Sequence, residues 1–251
     1  MTNGCISTDR ILSKLDGYLN KNDYISAEKH LVYWLSEAQA NNDLRTELLI
    51  RNELMGLYRK LGNSDEALRC ADAAVEKIEL MNISHQVGAA TTFLNCATVY
   101  KAFGMASKAV PLFEKAREVY ENELDRNDKR LGGLYNNMAL ALVDQGKYAL
   151  AQELYEKAIS VMQSAEDGSL EIAITYLNMA SAEDARLGTL EAEDAICFYL
   201  EKARVLLDSH ATKDGYYAFV CEKCASVFGY YGYFLYENEL KERARKIYEG
   251  A

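Results

Sequence analysis

The sequence predicts an all-α solenoid of about six helix-turn-helix units, and three observations carry that prediction. Gly62, Gly104, Gly146 and Gly188 fall at a strict 42-residue interval, and the first three are each followed five residues later by Ala67, Ala109 or Ala151. An interval of roughly 20 to 50 residues with matching small residues marks an array whose units bury their apolar faces only by stacking. Around each glycine the apolar residues follow helical spacing, as in Tyr135, Met138, Ala139 and Leu142, which keep the i, i+3, i+4, i+7 pattern of one helix face. The chain holds a single proline, Pro111, and is rich in Ala, Leu, Glu and Lys, a composition that favours helix and leaves no evident strand. The 251 residues therefore read as one elongated array spanning 1–251.

The units are expected at about 8–40, 48–81, 90–123, 132–165, 173–207 and 217–251. The first carries Ile11, Leu15 and Tyr18, then Ala27, Leu31 and Trp34. The second carries Leu54, Tyr58, Ala67 and Ala74 around Gly62. The third has Phe93, Cys96, Ala97 and Tyr100 before Gly104, then Ala109, Phe113 and Ala116. The fourth has Leu134, Tyr135, Met138, Ala139 and Leu142 before Gly146, then Tyr148, Ala151, Leu154, Tyr155 and Ala158. The fifth has Tyr176, Met179 and Ala180, a lengthened turn after Gly188, then Ile196, Leu200 and Ala203. The sixth is read with Phe228, Tyr231, Gly232 and Leu235 in its first helix, then Ala244, Tyr248 and Ala251. The first and last helices are apolar on one side only, the pattern expected of caps that close an array.

An aromatic, a small residue and Tyr in the first helix, followed by Ala, Phe or Tyr and Ala in the second, resemble the tetratricopeptide repeat (TPR). The 42-residue interval is similar to the kinesin-light-chain type of that repeat. The resemblance covers nearly the whole chain and implies a right-handed superhelix, with the first helix of each unit lining a concave groove. Six layers about 10 Å apart predict a curved rod of about 50 to 60 Å.

Asn95, Asn137 and Asn178 occupy the same place in units three to five, each two residues before a small Ala97, Ala139 or Ala180. The resemblance implies that such a position faces the groove and can hold the backbone of an extended peptide. A carboxamide has an acceptor and two donors, so it can pair with both groups of a peptide unit, and repeats about 10 Å apart match about three extended residues. The alternative keeps the same carboxamides bonded to neighbouring helices, where they lock the stack. Unit two departs from the pattern, with Glu53 in phase and Asn52 one residue earlier. Arg59, Lys60 and Lys101 are expected to point the same way and to read a carboxylate, while Asp144 and Asp184 make the middle of the groove acidic. Tyr230, Tyr233 and Tyr236 are read as one face of a helix, either as an aromatic recognition shelf or as core.

The formal charge of −10 repels a phosphate backbone, so nucleic acid is not an expected partner. Met1–Arg10 holds no apolar leader, and no run of about 18 apolar residues occurs; the expectation is a cytoplasmic protein without membrane contact. Six scattered cysteines read as reduced thiols, and Cys5 resembles no lipidation site. Cys221 and Cys224 form a lone Cys-x2-Cys pair with too few companions for structural zinc. His30, His85 and His210 lie in different units without a nucleophile at a recognisable spacing. No cofactor, metal or catalytic group is therefore expected. The reading is a non-catalytic adaptor that binds a protein or peptide as a monomer or homodimer. Its rivals are a regulatory sensor that changes superhelical pitch on binding a peptide, and a self-associating structural array.

Overall fold

The computed structural model describes residues 7–165 and 167–250; Cys5 and Ala251 lie outside them. Among the described residues there are twelve helices and no strand. They are α1 (Thr8–Leu19), α2 (Tyr24–Ala40), α3 (Leu44–Leu61), α4 (Ser64–Leu80), α5 (Val87–Ala102) and α6 (Ala106–Glu123), followed by α7 (Lys129–Val143), α8 (Tyr148–Gln163), α9 (Ser169–Leu187), α10 (Glu193–Ser209), α11 (Gly215–Tyr230) and α12 (Phe234–Glu249). Consecutive helices pack in pairs, from α1 on α2 to α11 on α12.

The chain forms two compact halves, one ending at Glu123 and the other beginning at Leu124. In the first, α3 packs directly on α5; in the second, α7 packs on α9 and α9 on α11. The second helices of the pairs show no comparable packing on one another. The first helices α3 and α5, and likewise α7, α9 and α11, therefore lie against one another, as expected where each unit covers the apolar stripe of the next.

The repeated glycines end the first helices. Gly62, Gly104 and Gly146 sit at φ of 72°, 75° and 70°, the left-handed conformation that costs a residue with a Cβ about 1 to 2 kcal/mol. At Gly146 the turn closes with Gly146 N–H donating to Val143 O and Lys147 N–H to Leu142 O, both at 2.9 Å, which satisfies carbonyls that the helix end would leave bare. The first pair reaches the same conformation with Asn22 at φ 54°, tolerated because a short carboxamide hydrogen-bonds locally.

The last unit departs from the sequence expectation. Gly232, at φ 86°, is the turn between α11 and α12, not an interior residue of the first helix. Tyr231 shares that turn, and Leu235 lies in the first turn of α12 with 89% of its surface exposed. Helical spacing alone does not separate a turn glycine from one that admits a close neighbour. The positive φ decides here.

Helix starts follow from short polar caps. Asp23, Asp43 and Asp214 accept backbone N–H groups from Ser26, Thr46 and Tyr217 at 3.1, 3.1 and 2.9 Å, each replacing a missing helical partner. The Thr46 hydroxyl and backbone hold the Asp43 carboxyl below its ordinary range. Ala67, Ala109 and Ala151 are fully buried, as required where a second helix crosses its first at close range. Among the large side chains, Phe93, Phe113, Tyr120 and Tyr155 are also enclosed.

The C-terminal edge is pinned by a polar cluster. Arg243 pairs with Asp208 at 2.8 Å and donates to Tyr217 Oη at 3.0 Å, while Tyr236 Oη donates to Asp208 Oδ1 at 2.8 Å. Tyr217 in turn donates to Leu207 O at 3.2 Å, and burial pushes its phenol up to about 12. These bonds tie α10, α11 and α12 together.

Candidate functional site: the first-helix faces

In the first half, α3 and α5 leave between them a groove of about 370 Å³ whose lining includes Leu49, Asn52, Glu53, Met81, Ile83 and Asn95. A continuous hydrogen-bond chain crosses it. Asn95 Nδ2 donates to Asn52 Oδ1 at 3.2 Å, Asn52 Nδ2 donates to Thr92 Oγ1 at 2.7 Å, and Thr92 donates to Gly88 O at 3.2 Å. The Asn95 side chain thus uses one donor on the neighbouring repeat, and a carboxamide retains further capacity. Glu53 projects into the same groove half-buried, and burial, reinforced by the Asp16 carboxylate, raises its pKa above the ordinary value.

In the second half, Asn178 Nδ2 donates to Asn136 Oδ1 at 3.0 Å, joining α9 to α7. Asn137 does not take part in that bond. It donates instead to Gly133 O at 2.9 Å, one turn back on its own helix. This corrects the expected register, in which Asn95, Asn137 and Asn178 are equivalent: Asn178 corresponds to Asn136. Counting back from the turn glycines reveals the shift, since Asn52, Asn136 and Asn178 each precede theirs by ten residues, whereas Asn95 and Asn137 precede theirs by nine. The signal was present in the sequence, but spacing to the following alanine conceals it.

The charged residues are placed as follows. Arg59 and Lys60 are exposed in the last turn of α3, with the Lys60 ammonium 4.8 Å from the ring centre of Tyr24, a cation–π contact that draws it toward α2. Lys101 is half-buried in the last turn of α5. Asp184 is occupied, accepting from Thr189 Oγ1 at 2.7 Å and from Tyr231 Oη at 3.3 Å.

Tyr230, Tyr233 and Tyr236 do not form one helical face, which corrects the sequence expectation. Tyr230 ends α11, Tyr233 caps α12, and Tyr236 lies inside α12. Tyr236 is buried edge-to-face on Phe228, with ring centres 4.7 Å apart. Tyr230 and Tyr233 are exposed and line a pocket of about 350 Å³ with Leu190 and Cys197. Tyr233 Oη donates to Cys197 Sγ at 3.7 Å.

Cys221 and Cys224 are buried free thiols, and burial raises both, Cys224 to about 12. Among the described residues no three His, Cys, Asp or Glu side chains group to hold a metal, and no helix is long and apolar enough to cross a membrane.

The tetratricopeptide repeat profile matches residues 47–122 and 131–197. BtubC (BKLC) from P. vanneervenii aligns over 81% of this chain and 82% of that chain, at 20% identity and a TM-score of 0.67. A putative kinesin light chain of Podosopora anserina, built of nearly identical TPR-like repeats, aligns over 80% and 94% at 19% identity and a TM-score of 0.54. MamA aligns over 82% and 96% at 16% identity and a TM-score of 0.53. At these identities the structures establish a shared fold. No curated protein matches the chain. The profile spans more than half of the sequence, the helical pairs repeat as such units do, and the chain belongs to the tetratricopeptide repeat family.

Proposed function

We propose that this protein is a non-catalytic adaptor that holds an extended segment or helix of a partner protein against its first-helix faces. A TPR array is in general a protein-interaction scaffold. The observation that carries the finer reading is the groove between α3 and α5, where Asn52 and Asn95 stand beside the apolar Leu49, Met81 and Ile83. A few oriented polar groups set in an apolar cleft are the usual makeup of a binding site. In the second half, Asn137 and Asn178 occupy the corresponding helices, and Arg59, Lys60 and Lys101 supply positive charge at the ends of α3 and α5. Micromolar affinity, about −8 kcal/mol, suits such an adaptor.

The test is capture from the native lysate by the full chain, comparing wild type with the Asn95→Ala, Asn137→Ala, Asn178→Ala triple variant at matched helicity. A partner lost from the variant supports the carboxamides as contacts. A partner retained equally by both moves the interface elsewhere and leaves these residues with a stacking role.

A second reading, self-association, is favoured by the exposed apolar residues at the turn edge of the second half. Leu190 is 84% exposed, Tyr230 72% and Phe234 64%, a combination that marks interaction surfaces more often than solvent-facing ones. Light scattering over a concentration series separates monomer from homodimer. A Leu190→Ser, Phe234→Ser variant that remains dimeric would exclude this edge as the interface.

A further inference from the structure

The groove between α3 and α5 carries a charge preference that the repeat pattern does not reveal. Glu53 projects into it with no hydrogen bond or ion pair to a described residue. The charge that acts on it is another carboxylate, Asp16, which together with burial disfavours its ionised form. Leaving an ionisable carboxyl half-buried and unpaired carries a desolvation cost that a glutamine of the same shape avoids. The base among the lining residues, Arg45, lies beside the helix-capping Asp43 and acts on that carboxylate. The whole chain adds the same sign, with 38 acidic against 28 basic residues, and such a field draws cationic partners and repels anionic ones.

Resting on the peptide-binding reading above, we propose that the occupant of this groove is a basic peptide segment whose lysine or arginine pairs with Glu53. Asn52 and Asn95 then meet its backbone, and an aliphatic neighbour lies on Leu49, Met81 and Ile83. The pairing returns to Glu53 the partner that the fold withholds, so the desolvation already incurred in folding is not incurred again on binding. This reverses the sequence expectation for the first half, in which Arg59, Lys60 and Lys101 read an acidic ligand. Those three lie in the last turns of α3 and α5, away from the middle of α3 where Glu53 stands.

Selection of a randomised nonapeptide display library on the full chain tests the proposal. Wild type and Glu53→Lys are selected in parallel, and the recovered peptides are measured by fluorescence anisotropy against wild type, Glu53→Gln and Asn52→Ala. The expected result is enrichment of Lys and Arg on wild type and a switch to Asp and Glu on Glu53→Lys. Glu53→Gln then weakens the wild-type peptide about tenfold, as loss of one charged hydrogen bond predicts. Glu53→Gln preserves side-chain volume, so its helicity provides the folding control. Peptides that show no charge bias or an acidic one, yet weaken on Asn52→Ala, overturn the charge assignment and leave the groove reading standing. No enrichment at all, or peptides indifferent to every substitution, overturns both.

Discussion

Asn178 donates its side-chain N–H to Asn136 Oδ1 at 3.0 Å, joining α9 to α7 across one 42-residue period. Asn136 is 9% exposed, so removing it leaves a partly buried donor without its acceptor. Asn136→Ala is expected to cost about 1 to 2 kcal/mol in urea denaturation. Asn137→Ala, which loses only a bond within its own helix, should stay within about 0.5 kcal/mol of wild type. Equal losses at the two positions would contradict the register.

Gly146 tests whether the period is imposed by backbone conformation or by space. A Cβ placed there meets nothing within 4 Å, yet φ is +70°. Gly146→Ala should therefore destabilise by about 1 kcal/mol through the left-handed conformation alone, with Gly146→Asn costing less. Thermal melts of the pair decide it. An alanine variant as stable as wild type would remove the conformational explanation.

Tyr155 is enclosed in the core, and its hydroxyl has no partner among the described residues. One period earlier the same place is held by Phe113, also fully buried. Tyr155→Phe is expected to leave stability unchanged or raise it by up to about 1 kcal/mol, because an unpaired buried hydroxyl costs more than the phenyl edge that replaces it. A clear loss in the chemical melt would mean that the hydroxyl has a partner after all.

Glu53 links the groove to pH. Its carboxyl pKa is raised above 4.5 by burial and by Asp16, so over the window just above 4.5 the folded chain holds more protons than the unfolded one. Its contribution is fully present below the unfolded value and is lost as pH rises through the folded one. Glu53→Gln should therefore match wild type near pH 4 and exceed it in melting temperature at pH 7. A variant less stable than wild type at pH 7 would show that the carboxylate is paired in the folded state.

The glycine and alanine period, the helical composition and the apolar spacing determined the class of fold, because turn conformation and close helix crossing admit few residue types and leave marks along the chain. Gly62, Gly104 and Gly146 were legible for that reason, and so were Ala109 and Phe113, buried one turn apart on the same helix. The last turn was not: Gly232 departs from the strict interval by two residues, and without its φ the three tyrosines around it read as a helical stripe. The carboxamides were legible as a group and misread by one position, since a shift of one residue rotates a side chain by about 100° around the helix while hardly altering a pattern of spacings. Glu53 gave the least warning. Whether a carboxylate is paired depends on which charges the neighbouring helices bring to it, and that is decided only when α1, α3 and α5 are in place.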